Sequence, residues 1–113
     1  MVSNQNRRVL VNAFSISMME FPERAVIEFR RLTLEETLRL LQEGNTVEHY
    51  IRHQATVQLL QSLGIQLGTP GNVYIYRPGD VIIMAVLAAP QRGQEVTRLQ
   101  PEDLVFYLVT VLQ

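Results

Sequence analysis

The stretch that decides the reading of this 113-residue chain is Val9-Leu10-Val11-Asn12-Ala13-Phe14-Ser15-Ile16-Ser17-Met18. It opens as an apolar run suited to a buried strand and breaks into Asn-Ala-Phe-Ser, polar groups with no duty in a core. A second junction of this kind, Ile51-Arg52-His53-Gln54-Ala55-Thr56, opens a helix further along. Two such mouths together carry an amide, hydroxyls and an imidazole. A helix start adds free N–H groups that attract an anion. A site for a polar, anionic ligand is therefore expected where the two meet.

The elements around these junctions follow from periodicity and turn chemistry. Residues 1–6 are polar and expected to be loose, and Arg8–Asn12 reads as a buried first strand. A short helix over Ser15–Met19 is closed by Pro22. Arg24–Leu32 alternates, with Val26, Glu28 and Arg30 against Ile27, Phe29 and Arg31, and reads as a strand with one wet face. Thr33 followed by Glu36 forms a capping box for a helix carrying Leu34, Leu38 and Leu41, with Gly44 as its stop.

Val47–Ile51 reads either as a short strand or as the lead-in to the next helix, Gln54–Leu63. That helix places Val57, Leu60 and Leu63 on one face and ends at Gly64. Pro78-Gly79 makes Val73–Arg77 and Asp80–Ala88 an expected hairpin. Ala89–Gln94 reads as a surface loop, Pro101–Asp103 as one helical turn, and Leu104–Leu112 as a closing strand. The expected fold is a single α+β domain over residues 1–113, a mixed sheet flanked by helices.

Composition bounds the chemistry. Hydrophobic residues make up 47% and charged residues 19% of the chain, as a packed globular domain requires. A formal net charge of −1 argues against a general nucleic-acid binder, and no duplex nucleic acid is expected as a partner. All ten Lys-or-Arg positions are Arg, the residue that grips phosphate with a planar fork. With no Cys, disulfides and thiolate metal sites are excluded. The apolar runs are too short to span a bilayer and no leader precedes them, so a cytoplasmic protein without membrane contact is expected.

Two histidines stand out. His49 and His53 are four apart and on one helix could share a metal, but the zinc-protease Glu and a third ligand are missing, so no metal site is expected. His53 alone reads as a surface or capping residue, or as a general acid or base beside a helix start. Ser15 reads locally as an N-cap, and no Gly-x-Ser-x-Gly elbow makes it a nucleophile. Arg92 in Gln91-Arg92-Gly93-Gln94-Glu95 is either a solvated charge or a ligand-gripping loop residue. A glycine-rich phosphate loop is lacking, which argues against nucleoside triphosphate hydrolysis.

The first motif, Leu10 through Met18, together with His53-x-x-Thr56-x-x-Leu59-Leu60-x-x-Leu63-Gly64, resembles the viral anti-CRISPR ring nucleases of type III systems and their cellular relatives. The similarity covers nearly the whole chain. It implies a compact homodimer that binds cyclic tetra-adenylate across its two-fold axis and cleaves it without metal or cofactor. By the same resemblance, His53 falls on the catalytic histidine, with Arg92 and Glu95 from the loop beside it. Asn12, Ala13, Phe14, Ser15 and Ser17 of the first motif become ligand-binding, as do Arg52, Ala55 and Thr56 around the histidine and Gln91 of the loop. Four departures stand out: Arg52 replaces a usual Gly, Ala55 a common Ser, Asn72 an Arg of some relatives, and the C-terminal helix shrinks to Pro101–Asp103. A non-catalytic sponge or sensor for the same ligand, and a small protein- or DNA-binding module, are the competing expectations.

Overall fold

The computed structural model describes residues 7–42, 47–88 and 99–112. Five strands form one sheet in the order β2-β5-β4-β1-β3. They are β1 (Arg8–Val11), β2 (Ile27–Leu32), β3 (Glu48–His49), β4 (Val81–Leu87) and β5 (Leu104–Val111). β1 lies parallel to both β3 and β4, whereas β5 runs antiparallel to β4 and β2. Two helices, α1 (Leu34–Leu41) and α2 (Gln54–Ser62), complete the α+β architecture. Among the described residues no helix is long and apolar enough to cross a membrane.

Local chemistry accounts for both helices. At α1 the Glu36 N–H donates to Thr33 Oγ1 at 3.0 Å and the Thr33 N–H donates back to the Glu36 carboxylate at 2.9 Å. That reciprocal pair is the capping box expected from the sequence. α2 stops at Gly64, whose φ of +92° suits a residue without Cβ. There the Gly64 N–H donates to the Gln61 carbonyl and the Ile65 N–H to the Leu60 carbonyl, a Schellman motif that buries Ile65. The buried stripe of α2 is Ala55, Thr56, Leu59 and Leu60. Val57 and Leu63, expected at its centre, pack only at its margins.

Both helices lie on one sheet face, against Leu10, Leu32, Ile83, Ala85, Leu104 and Phe106. The other face carries Val9, Val11, Ile82 and Val109, covered by Phe14, Met18, Tyr74 and Tyr76. Neighbouring β4 residues Ile82 and Ile83 are therefore both buried, one on each face.

Several sequence expectations shift. The strand over Arg24–Leu32 begins only at Ile27 and forms a sheet edge, with Glu28 through Arg31 exposed on both faces rather than one. The short helix is a 3-10 turn, Ile16–Met19, which the chain leaves through left-handed Glu20 and Phe21, φ 61° and 55°. Val47–Ile51 resolves as the two-residue β3 plus a parallel bridge from Val47 to Leu67. Gly44 and the Ala89–Gln94 loop lie outside the described residues.

The expected Val73–Arg77/Asp80–Ala88 hairpin does not form. β4 pairs with β1 on one edge and β5 on the other, so no edge is left for residues 73–77. Pro78 and Gly79 do turn the chain, with Gly79 at φ +94°. Proline in the first corner builds a turn whose twist does not suit a two-residue hairpin. Residues 71–80 instead cross the sheet as a strap that inserts Tyr74 into the core.

Asp80 fastens the strap. Its carboxylate accepts from Arg7 Nε at 3.0 Å, from Arg7 Nη2, from the Tyr74 hydroxyl and from the Arg77 N–H at 3.2 Å. Burial pushes the Asp80 carboxyl up, but these donors outweigh it and hold it below the usual carboxylate range. Burial and the same contact push the Tyr74 phenol up.

Candidate functional site

The site arises from a mismatch of strand lengths. β1 ends at Val11, opposite Met84, while β4 continues through Leu87 paired only with β5. Three residues of strand, about 10 Å, therefore present an unpaired edge where β1 turns away. The carboxyl ends of β1, β3 and β4 and the beginning of β5 meet here, the end at which parallel strands commonly bind ligands. A cavity of about 300 Å3 occupies the space. Its polar residues are Asn12, His53 and Thr56, and Ile51, Ala85, Val86, Leu87 and Leu104 form its apolar wall.

His53 stands at the N-cap position of α2 with extended backbone, φ −71° and ψ 109°, and its side chain makes no capping bond. The imidazole turns aside, with Nδ1 2.7 Å from the Thr56 hydroxyl. Thr56 is buried and rigidly placed on the first turn of α2, whereas His53 is exposed. A hydroxyl at that distance can donate to Nδ1 or accept from it, according to the tautomer of the ring. This contact orients the ring, and Nε2 has no hydrogen-bond partner among the described residues. Whereas α1 is sealed by its own capping box, α2 starts without a side-chain cap, its free N–H groups beside the cavity.

The sequence-predicted residues divide by position. Asn12, Thr56 and His53 meet in the cavity. Ser15 lies three residues beyond Asn12 at the N-cap position of the 3-10 turn, with its hydroxyl 2.9 Å from that of Ser17 and both residues exposed. Ala13 is also exposed, and Phe14 packs on the second core cluster. Ala55 is buried and faces a separate groove of about 510 Å3 running between α2 and Leu99–Pro101. Gln91, Arg92 and Glu95 lie outside the described residues.

Arg52, next to His53, reaches away toward the strap. Its Nη2 donates to the Asn72 side-chain carbonyl at 2.7 Å and to the Gly71 carbonyl at 3.0 Å. The strap is tied on from the same side, because the Gly71 N–H donates to the His49 carbonyl at 2.9 Å. A Cβ at Gly71 would stand 2.3 Å from the Tyr50 ring, so any larger residue there has to displace that ring. His49 and His53 share no helix. His49 belongs to β3, is buried, and holds its Nε2 2.7 Å from the Gly68 carbonyl.

Sequence reasoning missed the apolar wall at Ala85–Leu87 and the union of Arg52 with Asn72. The unequal lengths of the first and fourth strands were readable, but which strands pair was not. Arg52 and Asn72 come together only through the strap.

The family model described as STIV B116-like matches residues 8–107. Among solved structures, B116 of Sulfolobus turreted icosahedral virus superposes with a TM-score of 0.65 at 27% sequence identity, covering 92% of this chain and 98% of that chain. No curated protein matches.

Proposed function

The chain belongs to the STIV B116-like family, and we propose that it is a metal-independent ring nuclease that binds and cleaves cyclic tetra-adenylate, so switching off type III CRISPR signalling. The observation that carries this reading is the cavity in which His53, oriented by Thr56, stands beside the uncapped start of α2 and Asn12. A helix start attracts phosphate, and an imidazole fixed through Nδ1 presents Nε2 for proton transfer.

The substrate brings its own nucleophile. A ribose 2′-oxygen attacks the adjacent phosphorus, the bond from phosphorus to the 5′-oxygen breaks, and the 2′-proton leaves to water. His53 Nε2 gives its proton to the departing 5′-oxygen, and the product ends in a 2′,3′-cyclic phosphate. The protein need only hold the attacking oxygen in line and stabilise charge on phosphate. We assign ligand placement to Asn12 and Ser15, phosphate charge to Arg92, and orientation of the ribose or of His53 to Glu95. A cavity of about 300 Å3 lies at the lower bound for small-ligand sites, so a ring of four nucleotides needs a second copy of it. A homodimer with the ligand across its two-fold axis supplies that copy.

Incubation with tri-, tetra- and hexa-adenylate rings in excess chelator tests the reading. Cleavage of the tetra-adenylate ring is expected, falling on the order of 10²–10⁴-fold in His53→Ala. Intact ligand with the unaltered protein, or full activity in His53→Ala, would sink it. A second reading is a sponge that binds the ring without cutting it, since the resemblance puts a serine where this chain has Ala55. Calorimetric binding with no product is its signature.

A further inference from the structure

Arg52 differs from the three arginines that pair with carboxylates. Arg7 faces Asp80 and Glu48, Arg30 faces Glu36, and Arg39 faces Glu35. Each of these charges is matched by a carboxylate. Arg52 is held by two neutral oxygens, the Asn72 amide carbonyl and the Gly71 backbone carbonyl, and both bonds use the same nitrogen, Nη2. The Nε–H and both Nη1 hydrogens have no partner among the described residues. The guanidinium is therefore fixed in place without being neutralised. Its holder is itself fixed: Gly71 is bonded to the His49 carbonyl and packed under the Tyr50 ring, which leans on Tyr74 at a centroid distance of 5.4 Å. The rotamer freedom that a free surface arginine loses on binding is already largely given up here.

We propose that Arg52, next to His53 in the chain and pinned by Asn72 and the Gly71 carbonyl of the strap, is a preset cation that grips a phosphate of the ring outside the bond being cut. This rests on the ring-nuclease reading and assigns Arg52 a definite role in it, that of a phosphate-gripping cation. It sits on the far side of the His53 backbone from the catalytic cavity, where an extended chain sends alternate side chains to opposite sides. Its duty is binding, not proton transfer. Asn72 is a positioning residue that acts through Arg52.

Binding is measured by calorimetry with uncut cyclic tetra-adenylate at several salt concentrations, all variants carrying His53→Ala to prevent turnover. Adding Arg52→Ala should weaken binding about 10- to 100-fold, as losing a charge-assisted bond does, and should make affinity less sensitive to salt. Arg52→Lys should retain the salt sensitivity. Asn72→Ala should weaken binding less and keep that sensitivity, because it frees the cation without removing it. Unchanged affinity in Arg52→Ala, or a loss of affinity with unchanged salt sensitivity, overturns the proposal and leaves the ring-nuclease reading standing. No binding by the His53→Ala parent overturns both.

Discussion

At the scale of single residues, the site depends on one short contact. The His53 ring is held only by the Thr56 hydroxyl among the described residues, at 2.7 Å. Thr56→Val keeps the β-branched shape at the buried position while removing the hydroxyl that makes that bond. A swinging imidazole spends less time in line with the leaving oxygen, and a misplacement of this kind costs about 10- to 100-fold in rate. The loss should appear in kcat more than in KM if the orienting bond to His53 outweighs any contact of Thr56 with the ligand. Thr56→Ser should recover most of it. Steady-state kinetics on cyclic tetra-adenylate decides the matter: an unaltered kcat in Thr56→Val would mean that another group orients the ring. The residue scale also explains why two histidines four apart do different work. His49 is buried against the Gly68 carbonyl and His53 is exposed at a helix start.

At the scale of elements, the strap holds the far end of the sheet as β4's overhang opens the near end. Asp80 is its fastening, and acid should loosen it. The donors around Asp80 hold its folded pKa below that of the unfolded chain, although burial opposes them. Its contribution to stability is therefore complete above about pH 4, near the ordinary carboxylate value, and is lost as pH falls through the lower folded value. Urea unfolding from about pH 5 down to about pH 2.5 should show wild-type stability falling more steeply than that of Asp80→Asn. Parallel slopes would remove Asp80 from the account.

Elements also mark where the sequence was legible. The capping box at Thr33, the stop at Gly64 and the turn at Pro78-Gly79 are local, and each stands where side-chain chemistry places it. The hairpin drawn from that turn failed because pairing is not local: β4 is claimed on one edge by β1, remote in sequence, and on the other by the following strand, β5. The cavity was half legible for the same reason. Asn12, His53 and Thr56 could be named from their junctions, but the β4 wall and the Arg52–Asn72 contact exist only after the sheet has assembled.

At the scale of the whole molecule, one chain offers one His53 with the small cavity beside it, and the proposed ligand repeats four times around a ring. In the proposed two-fold pair the two His53 side chains would stand at opposite phosphates, each chain would make one cut and the pair would release di-adenylates. If each cut belongs to one subunit, crippling one subunit should stop the reaction halfway. A mixed dimer of wild type and His53→Ala, isolated through a tag on one chain, should open the ring once in a single turnover and accumulate linear tetra-adenylate. The wild-type pair should pass through that species to di-adenylates. Chromatographic separation of the products reads the difference directly, and sedimentation with bound ring checks that two chains hold one ligand. Di-adenylates from the mixed dimer at the wild-type rate, or a single chain sedimenting with the ring, would show that one subunit makes both cuts, and the two-fold placement of the ligand would fall.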